Sequence, residues 1–302
     1  MNRGRAMDDL DTRLLVDLLR DRIRPNRSLG QHFLIDDAVI SRSVDIASRV
    51  SPLDTDSHVL EIGPGSGSLT LALLRTGARV TAFEVDDESV DHLQRVFGDA
   101  EGRLDLQKAD ALEAVWPADV THIVANLPYQ ISSPVLERIQ RHHAEHPMAV
   151  VVLLLQEEFA DRMAIGRDHA ALSPLGLSLW LDFEVELDAK VAPHSFSPSP
   201  RVSSRLTSMR PVDREPGIDR RMFRTVTQHC FANRRRKLRT LLSKPPSRIG
   251  RIKGWHKQRW SEAVDTVIQA SPEGLPEGWL DLRPENLETS QWVSLVDAIS
   301  SN

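Results

Sequence analysis

The chain of 302 residues is 40% hydrophobic and 27% charged, a balance typical of globular proteins and unlike that of disordered or fibrous chains. It has no apolar run long enough to cross a bilayer, and its charged beginning is unlike a secretory signal, so we expect a cytoplasmic protein without a membrane partner. The single cysteine, Cys230, excludes an internal disulfide and a cysteine-based metal cluster, and no metal is expected.

The net charge of −5 conceals an uneven distribution along the chain. Residues 221–260, here called the basic segment, contain thirteen Lys and Arg and no Asp or Glu, so they carry +13 and the remainder carries −18. A run of cations without acidic neighbours is typical of proteins that bind a polyanion. The charge pattern therefore predicts a nucleic-acid partner.

The first predicted element is an amphipathic helix within residues 1–24, which Pro25 ends. Its leucines recur at helical spacing: Leu10, Leu14, Leu15, Leu18 and Leu19. We interpret it as a helix packed on its own domain rather than one that binds a partner. A polar and aromatic cluster follows at 27–34, and its pattern alone predicts only a loop.

A glycine loop at 63–67 separates a predicted buried strand, 59–62, from a predicted helix that begins at Ser68. Glycine lets the backbone turn sharply and approach a ligand closely, so Gly63 and Gly65 are candidate cofactor contacts. The spacing differs from the Gly-x-Gly-x-x-Gly of dinucleotide enzymes, and Glu61 suits a cationic ligand better than a pyrophosphate. Both features favour S-adenosylmethionine, a sulfonium. A purely structural turn is the alternative.

The next two predicted strands also lead to acids. Glu84 lies near the end of the strand at 79–86, twenty-one residues after Gly63, close to where an acid accepts hydrogen bonds from a ribose in doubly wound folds. Asp110 follows the strand at 104–107, where its carboxylate suits an adenine amino group. The alternatives are a solvated acid for Glu84 and a helix N-cap for Asp110.

The segment Asn126-Leu127-Pro128-Tyr129 follows the fourth predicted strand, 121–125, and is the most specific chemical signature in the chain. An exocyclic adenine amine is a poor nucleophile because its lone pair is delocalised into the ring. Acceptors on both N–H groups, the Asn126 side-chain oxygen and the Leu127 carbonyl oxygen, localise that lone pair toward a methyl donor. Pro128 stiffens the turn, and Tyr129 offers a face for stacking the base. These four residues are therefore predicted to be catalytic.

Further alternation completes the predicted sheet, with a helix at 133–141, a strand at 148–155 and a helix at 157–163. At least five such alternations predict a parallel sheet with helices on both faces. Residues 174–210 are predicted to add two β-rich runs, separated by a proline-rich loop at 193–200. Phe196 in that loop is either the second wall of a base pocket or a core residue.

Past Pro211 the chain is predicted to be helical, which gives two domains, 1–210 and 211–302. Within the basic segment, 231–239 is predicted to form a helix. Four of its cations are predicted to contact RNA phosphates: Arg234, Arg235, Arg236 and Lys237. A solvated charged face is the alternative.

Several motifs in this order make the chain resemble the small-subunit ribosomal RNA adenine dimethyltransferase family, which is related to the macrolide-resistance methylases. The resemblance covers nearly the whole chain after residue 24. Its motifs are Leu29-Gly-Gln-His-Phe-Leu34, Glu61-Ile-Gly-Pro-Gly65, Glu84, Asp110, Asn126-Leu-Pro-Tyr-Gln-Ile-Ser-Ser-Pro134, Phe196-x-Pro-x-Pro-x-Val-x-Ser204 and Phe231-x-x-Arg-Arg-Arg236. The continuation from Gln130 to Pro134 resembles archaeal and eukaryotic members more than bacterial ones. The chain departs from the family at Ser203, usually an aspartate, and at Arg205, usually apolar.

The resemblance implies an α/β protein with a Rossmann-like class I methyltransferase domain and a smaller C-terminal helical domain. It implies S-adenosyl-L-methionine as cofactor, with contacts at His32, Leu34, Gly63, Glu84, Asp110 and Asn126. Residues Asn126 to Tyr129 and Phe196 match the family's target-base positions. The implied partners are small-subunit ribosomal RNA and the immature small ribosomal subunit, and we expect a monomer.

We therefore expect an enzyme that transfers methyl groups to N6 of two adjacent adenines near the 3′ end of small-subunit ribosomal RNA, twice per base, during subunit biogenesis. The target base has to leave its stack, which favours a loop over a duplex. One alternative is an assembly factor whose main role is binding the immature subunit. The other is a methyltransferase for large-subunit RNA or a small molecule, although the basic segment argues against a small molecule.

Overall fold

The computed structural model describes residues 7–21, 31–165 and 172–302. The chain divides into two compact units, of which the first comprises Met1–Ala160 and Glu186–Pro211 and the second comprises Asp161–Val185 and Val212–Asn302. The boundary between the units after Pro211 lies one residue from the predicted domain boundary at 210. The second unit also includes residues 161–185, because Leu177 and Leu181 belong to its core together with Phe223.

Strands account for most of the architecture of the first unit. They are β1 (Phe33–Leu34), β2 (His58–Ile62), β3 (Arg79–Glu84), β4 (Leu104–Lys108), β5 (His122–Asn126), β6 (Val150–Gln156), β7 (Phe183–Val191), β8 (Phe196–Ser197) and β9 (Ser204–Pro211). Seven of them form one sheet in the order β4-β3-β2-β5-β6-β9-β7. The neighbours from β4 to β6 are parallel, and β9 runs antiparallel to β6. This order confirms the predicted Rossmann-like α/β fold.

The central strands are buried along almost their whole length. In β2 all five residues are buried, and in β6 all but the last are. Because successive side chains of a strand point to opposite faces, continuous burial requires that both faces of the sheet are covered. The apolar runs of these strands follow from that arrangement, and Glu61 in β2 is the exception that the site explains.

The helices are α1 (Thr12–Arg20), α2 (Asp37–Val50), α3 (Ser68–Arg75), α4 (Asp87–Phe97), α5 (Ser132–Glu145), α6 (Glu157–Asp161), α7 (Pro174–Asp182), α8 (Arg220–Phe231), α9 (Leu238–Leu242), α10 (Lys257–Ala270) and α11 (Thr289–Ser300). The predicted N-terminal helix is α1, whose Leu15 and Leu19 are buried. Pro25 and the first part of the 27–34 cluster lie outside the described residues. Within the part of the chain that the structure describes, each helix is too short or too polar to cross a bilayer.

The prediction of a β-rich run from residue 174 was wrong for its first part, which is helix α7. Alternating leucines from Leu175 to Leu181 gave that stretch a strand-like period. Ser173 instead caps the helix by accepting a hydrogen bond from the Gly176 N–H, and Pro174 occupies the first helical turn. The helix is buried on most of its surface, so its sequence lacks the polar face that would have revealed it.

The prediction of a helix at 231–239 was also wrong in its first half. Helix α8 ends at Phe231, and residues 232–236 form turns with hydrogen bonds from Asn233 N–H to the Cys230 carbonyl and from Arg236 N–H to the Asn233 carbonyl. The buried face of α8 ends at Cys230, and the next buried apolar residue is Leu238. The three arginines therefore lie on an exposed turn rather than on a helix face.

Candidate active site

A cavity of about 330 Å³ in the first unit is lined by residues that follow the carboxyl ends of β2, β3, β4 and β5. The chain runs from β2 through β3 to β4 on one side of β2, whereas β5 and β6 lie on the other side. Ligands of open α/β sheets bind at such a switch point. The lining includes every residue predicted to contact cofactor or target base: His32, Leu34, Gly63, Gly65, Glu84, Asp110, Asn126, Leu127, Pro128, Tyr129 and Phe196.

The glycine loop forms one wall of this cavity with backbone that only glycine adopts readily. Gly63 has φ +70° and Gly65 has φ +53°. A Cβ on Gly65 would lie 3.0 Å from the Phe33 ring. The Gly63 N–H donates to the Phe83 carbonyl at 2.9 Å, which holds the start of the loop against the end of β3. At Gly63 and Gly65 the loop therefore presents backbone to whatever fills the cavity, and Pro64 and Ser66 line the cavity beside them.

Glu84 is buried beside the loop and is not the solvated acid that its neighbours suggest. One carboxylate oxygen accepts from the Gly65 N–H at 3.1 Å, and the other accepts from the N–H groups of Val85 and Asp86. Burial raises the pKa of this carboxyl, and the three N–H donors oppose that shift. Carboxylate oxygens have further lone pairs, so Glu84 retains capacity to accept from ribose hydroxyls.

Glu61 reaches the cavity from inside β2 and is 1% exposed. Its carboxyl accepts a hydrogen bond of 2.7 Å from the Thr70 hydroxyl. Burial raises the pKa of Glu61 to about 8, and the nearby Glu84 adds to the shift. At neutral pH this acid is therefore mostly uncharged.

Asp110 caps the turn that follows β4, and its role as a cofactor contact stays a prediction. It lies exposed on the cavity lining, and its Oδ1 accepts from the Leu112 N–H at 2.8 Å, as a capping residue does. The carboxylate is thereby held at one oxygen by the backbone turn that follows β4. An acid held in this way offers a fixed acceptor to an amino group.

Asn126 is the last residue of β5, and its side chain is oriented by the backbone of another segment. Its amide nitrogen donates to the His32 carbonyl at 3.2 Å, so its amide oxygen remains the atom that accepts from a ligand. The Leu127 N–H donates to the Leu154 carbonyl at 3.2 Å, which fixes the following peptide to β6. A Cβ added to Gly63 would lie 3.6 Å from the Pro128 ring. The glycine loop and the segment from Asn126 to Tyr129 are therefore in direct contact.

Tyr129 and Phe196 supply the aromatic side of the cavity. The Tyr129 ring stacks on His32 with centroids 6.0 Å apart, and its hydroxyl lies 2.7 Å from the Ser204 hydroxyl. Phe196 is 2% exposed and belongs to the core of the first unit, yet it also lines the cavity. The core interpretation is therefore confirmed, and contact with a base stays a prediction.

The 27–34 cluster, for which local pattern predicts only a loop, ends in strand β1. Phe33 and Leu34 pair antiparallel with Ser197 and Phe196 of β8. The pairing brings His32 and Leu34 to the cavity, and only the family resemblance had pointed to them. Sequence reasoning also missed several apolar lining residues: Phe33, Phe83, Val85, Ala109 and Ile131. Their positions next to strand ends or predicted site residues were the available signal.

The four cations predicted to bind RNA lie in the second unit, in and after the exposed turn that follows α8. Lys237 pairs with Asp281 at 2.8 Å, and Arg239 pairs with the other oxygen of the same carboxylate. These ion pairs involve an acid that lies outside the basic segment. Among the described residues, no group of three His, Cys, Asp or Glu side chains is arranged to hold a metal ion.

Comparison with known protein families and sequences gives consistent matches. The family model described as ribosomal RNA adenine dimethylase matches residues 22–251. The chain is 35% identical over 281 residues to a probable ribosomal RNA small subunit methyltransferase A from Methanopyrus kandleri, covering 92% of this chain and 94% of that protein. It is 31% identical over 294 residues to a ribosomal RNA small subunit methyltransferase A from Lactobacillus helveticus, covering 91% of each.

Solved structures with the same fold include a dimethyladenosine transferase from Plasmodium falciparum. The TM-score is 0.69 at 22% identity, with 86% of this chain and 94% of that chain covered. The 23S rRNA methyltransferase ErmE gives a TM-score of 0.59 at 25% identity, covering 88% and 99% of the two chains. The described fold is therefore that of class I methyltransferases.

Proposed function

Because the chain belongs to the ribosomal RNA adenine dimethylase family, we propose that it uses S-adenosylmethionine to methylate N6 of two adjacent adenines near the 3′ end of small-subunit ribosomal RNA. Each target base receives two methyl groups. The observation that carries the proposal concerns the Asn126 side chain. Its amide nitrogen donates a hydrogen bond to the His32 carbonyl, which leaves its amide oxygen to accept from a ligand in the cavity.

The residues around the cavity suit the proposed cofactor. The side-chain-free wall at Gly63 and Gly65 gives a nucleoside room to lie against backbone. Glu84 accepts from ribose hydroxyls, Asp110 accepts from an adenine amino group, and His32 and Leu34 complete the contacts. Glu61 lies on the same cavity and stabilises positive charge when it is ionised. S-adenosylmethionine supplies a methyl group carried by a positively charged sulfur.

In this proposal Asn126 and Leu127 activate the target amine. Their two oxygens accept the two N–H hydrogens of the adenine amino group, which turns its lone pair away from conjugation with the ring. The nitrogen would then bond to the methyl carbon as the sulfur–methyl bond breaks, so that the donor would leave as S-adenosylhomocysteine, a neutral thioether, and the surplus proton would pass to water. Pro128, with φ −55° and ψ 128°, stiffens the turn that carries the Leu127 carbonyl.

Aromatic side chains hold the base that has left its stack. Tyr129 and Phe196 both line the cavity and offer faces on which a purine can stack, an interaction worth about 1–3 kcal/mol per base. Stacking compensates for the energy of taking the base out of a loop. We propose that Arg234, Arg235, Arg236 and Lys237 hold nearby phosphates of the same RNA.

We further propose that the enzyme acts as a monomer on the immature small ribosomal subunit. The support is the nature of the proposed target, because an unpaired loop near the end of the RNA is accessible before assembly is complete. The cytoplasm is the proposed location, since ribosomal RNA is the substrate. Methylation and a role in subunit assembly are compatible in one protein.

The test is the substitution Asn126→Ala. We expect the rate of N6-dimethyladenosine formation to fall on the order of 10²–10³-fold, the effect of losing one well-placed electrostatic contact in a buried site. Mass spectrometry of RNA from small subunits incubated with purified protein measures the product. Affinity for S-adenosylhomocysteine, measured by calorimetry, is the control and should change less than about threefold. Undiminished methylation by this variant contradicts the mechanism.

The similarity to a 23S rRNA methyltransferase makes large-subunit RNA the second candidate substrate. Incubating the protein with each subunit's RNA separately decides between the two. We expect dimethyladenosine in the small-subunit RNA alone, at two neighbouring positions. Product confined to the large-subunit RNA would overturn the proposed substrate and leave the chemistry intact.

A further inference from the structure

We propose that Ser204 is a positioning residue that fixes the ring of Tyr129, and with it the wall on which the target adenine stacks. The inference rests on the proposed function and extends it. Ser204 lies on β9, on the far side of β6 from β5, and it does not line the cavity. Its effect on the reaction therefore passes through Tyr129.

The contact between the two side chains is short, and it joins a half-buried tyrosine to a buried serine. The Ser204 hydroxyl lies 2.7 Å from the Tyr129 hydroxyl, and Ser204 is fully buried. Its backbone is held in register opposite Gln156 of β6, so the hydroxyl has a rigid base. A hydrogen bond to a buried and rigid partner restricts rotation about the two main torsions of the tyrosine side chain.

A second contact holds the same ring from its face. His32 stacks on Tyr129 with an angle of 27° between the ring planes, and His32 Nδ1 lies 2.7 Å from the Pro198 carbonyl. The ring is thus held at its hydroxyl by β9 and at one face by His32. In the proposal the adenine stacks on the opposite face, whose plane is set by these two contacts.

The precision of this wall matters because Tyr129 directly follows the residues that activate the amine. A base that stacks on a tilted ring presents its amino group to Asn126 at the wrong distance, and a misplacement of about 1 Å costs roughly 10²-fold in rate. Loss of the Ser204 hydroxyl should therefore slow methyl transfer more than it weakens cofactor binding, because the proposed cofactor contacts at Gly63, Glu84 and Asp110 lie on other segments.

The kinetic test compares Ser204→Ala, Tyr129→Phe and the double variant with the control Ser208→Ala. Ser208 is a buried serine on the same strand and the same side of it, opposite Val152, and it does not line the cavity. In single-turnover methylation of small-subunit RNA we expect both single variants to be about tenfold slower and the double variant no slower than either. Ser208→Ala should match the wild type. Additive losses would overturn the inference.

A second readout does not depend on activity. Tyr129 is the only tyrosine of the chain, so ¹³C-tyrosine labelling gives nuclear magnetic resonance signals from this residue alone. We expect changed ring shifts and greater ring mobility in Ser204→Ala and unchanged signals in Ser208→Ala, both saturated with S-adenosylhomocysteine. Wild-type ring signals in Ser204→Ala would overturn the inference.

These outcomes separate the inference from the proposed function. If the wild type methylates RNA and Ser204→Ala does so equally well, the positioning role is wrong and the function stands. If the wild type modifies no adenine, the function is wrong, and the tyrosine signals still decide whether Ser204 orients the ring. Should Ser204→Ala unfold, Tyr129→Phe removes the same hydrogen bond from the other side, and wild-type rates in that variant overturn the inference.

Discussion

Glu61 illustrates how one residue in a fold of this kind is shaped by its surroundings. It lies within a wholly buried strand, accepts a hydrogen bond from Thr70 and borders the cavity. Its burial shifts its pKa from an ordinary value of 4.5 to about 8. Near neutral pH the acid is therefore mostly a neutral hydrogen-bonding group, and it ionises as pH rises through about 8.

The shift predicts a pH dependence of stability. A raised pKa means that the folded protein binds a proton that the unfolded chain releases at lower pH, so the free energy of unfolding falls as pH rises from about 4.5 to about 8. One such proton corresponds to a slope of about 1.4 kcal/mol per pH unit at most. Between pH 6 and pH 8 we expect the free energy of unfolding to fall by up to about 2 kcal/mol more in the wild type than in Glu61→Gln. Urea denaturation at each pH measures both values. Parallel pH profiles for the two proteins would contradict this account.

Residue identity and spacing predicted that Asn126, Leu127 and Glu84 lie at one site, and all three line the cavity, because their places after strands follow from local sequence. Their chemical roles stay predictions. The neutral state of Glu61 and the bond from Asn126 to the His32 carbonyl could not be predicted in the same way. Both depend on segments that are distant in sequence, and burial is a property of the assembled fold.

At the scale of elements, the glycine loop between β2 and α3 lines the cavity at Gly63 and Gly65 and packs against α4 at Gly67. Gly67 precedes α3 with φ +83°, and a Cβ there would lie 2.6 Å from the Phe97 ring and 2.7 Å from Leu93, both in α4. The glycine is thus required twice, for its backbone angle and for the close approach of α4. Gly102 has nearly the same angle, φ +81°, but open space where its Cβ would be.

These two glycines form a matched pair for mutation. We expect Gly102→Ala to destabilise the protein by about 1–2 kcal/mol through backbone strain alone. Gly67→Ala should cost about 1–3 kcal/mol more, because the rings and methyl groups of α4 have to move. Urea denaturation of both variants measures the difference. An equal loss of unfolding free energy in the two variants would show that α4 moves without a cost in stability.

Elements with a clear period were predicted with nearly correct bounds, as β3 and β6 demonstrate. Helix α7 was missed because it is buried on most of its surface and its leucines alternate, so the tertiary environment removed the usual helical pattern. The turn at 232–236 was missed because basic residues have good helix propensity, whereas no apolar residue in that stretch packs on a core.

At the scale of the whole molecule, charge is divided as unevenly as the sequence indicates, but the cations are not equivalent. Arg234, Arg235 and Arg236 are exposed on a turn. Lys237 and Arg239 share Asp281, although such exposed ion pairs are screened by water and contribute little to stability. A phosphate that approaches Lys237 therefore competes with a weak internal partner.

This difference predicts unequal effects on RNA binding. If Arg235 contacts a phosphate, Arg235→Gln should reduce the slope of log affinity against log salt by about 0.7, the value for one contact to a single strand. Lys237→Gln should reduce it less, since part of its charge is already neutralised by Asp281. Filter binding of small-subunit RNA over a range of salt concentrations measures both slopes. An affinity that is independent of salt would exclude this turn as a phosphate contact.

The antiparallel pairing of Phe33 and Leu34 with Ser197 and Phe196 has a consequence for how the protein is made. A nascent chain emerges from its N-terminus, so the segment that carries His32 stays without its strand partner until translation has passed Ser197. Early termination products that contain the whole glycine loop and Asn126 would still lack β8, and with it Phe196 on the lining of the cavity. The ribosome that synthesises this chain can therefore release a competent enzyme only after the late strands have been translated.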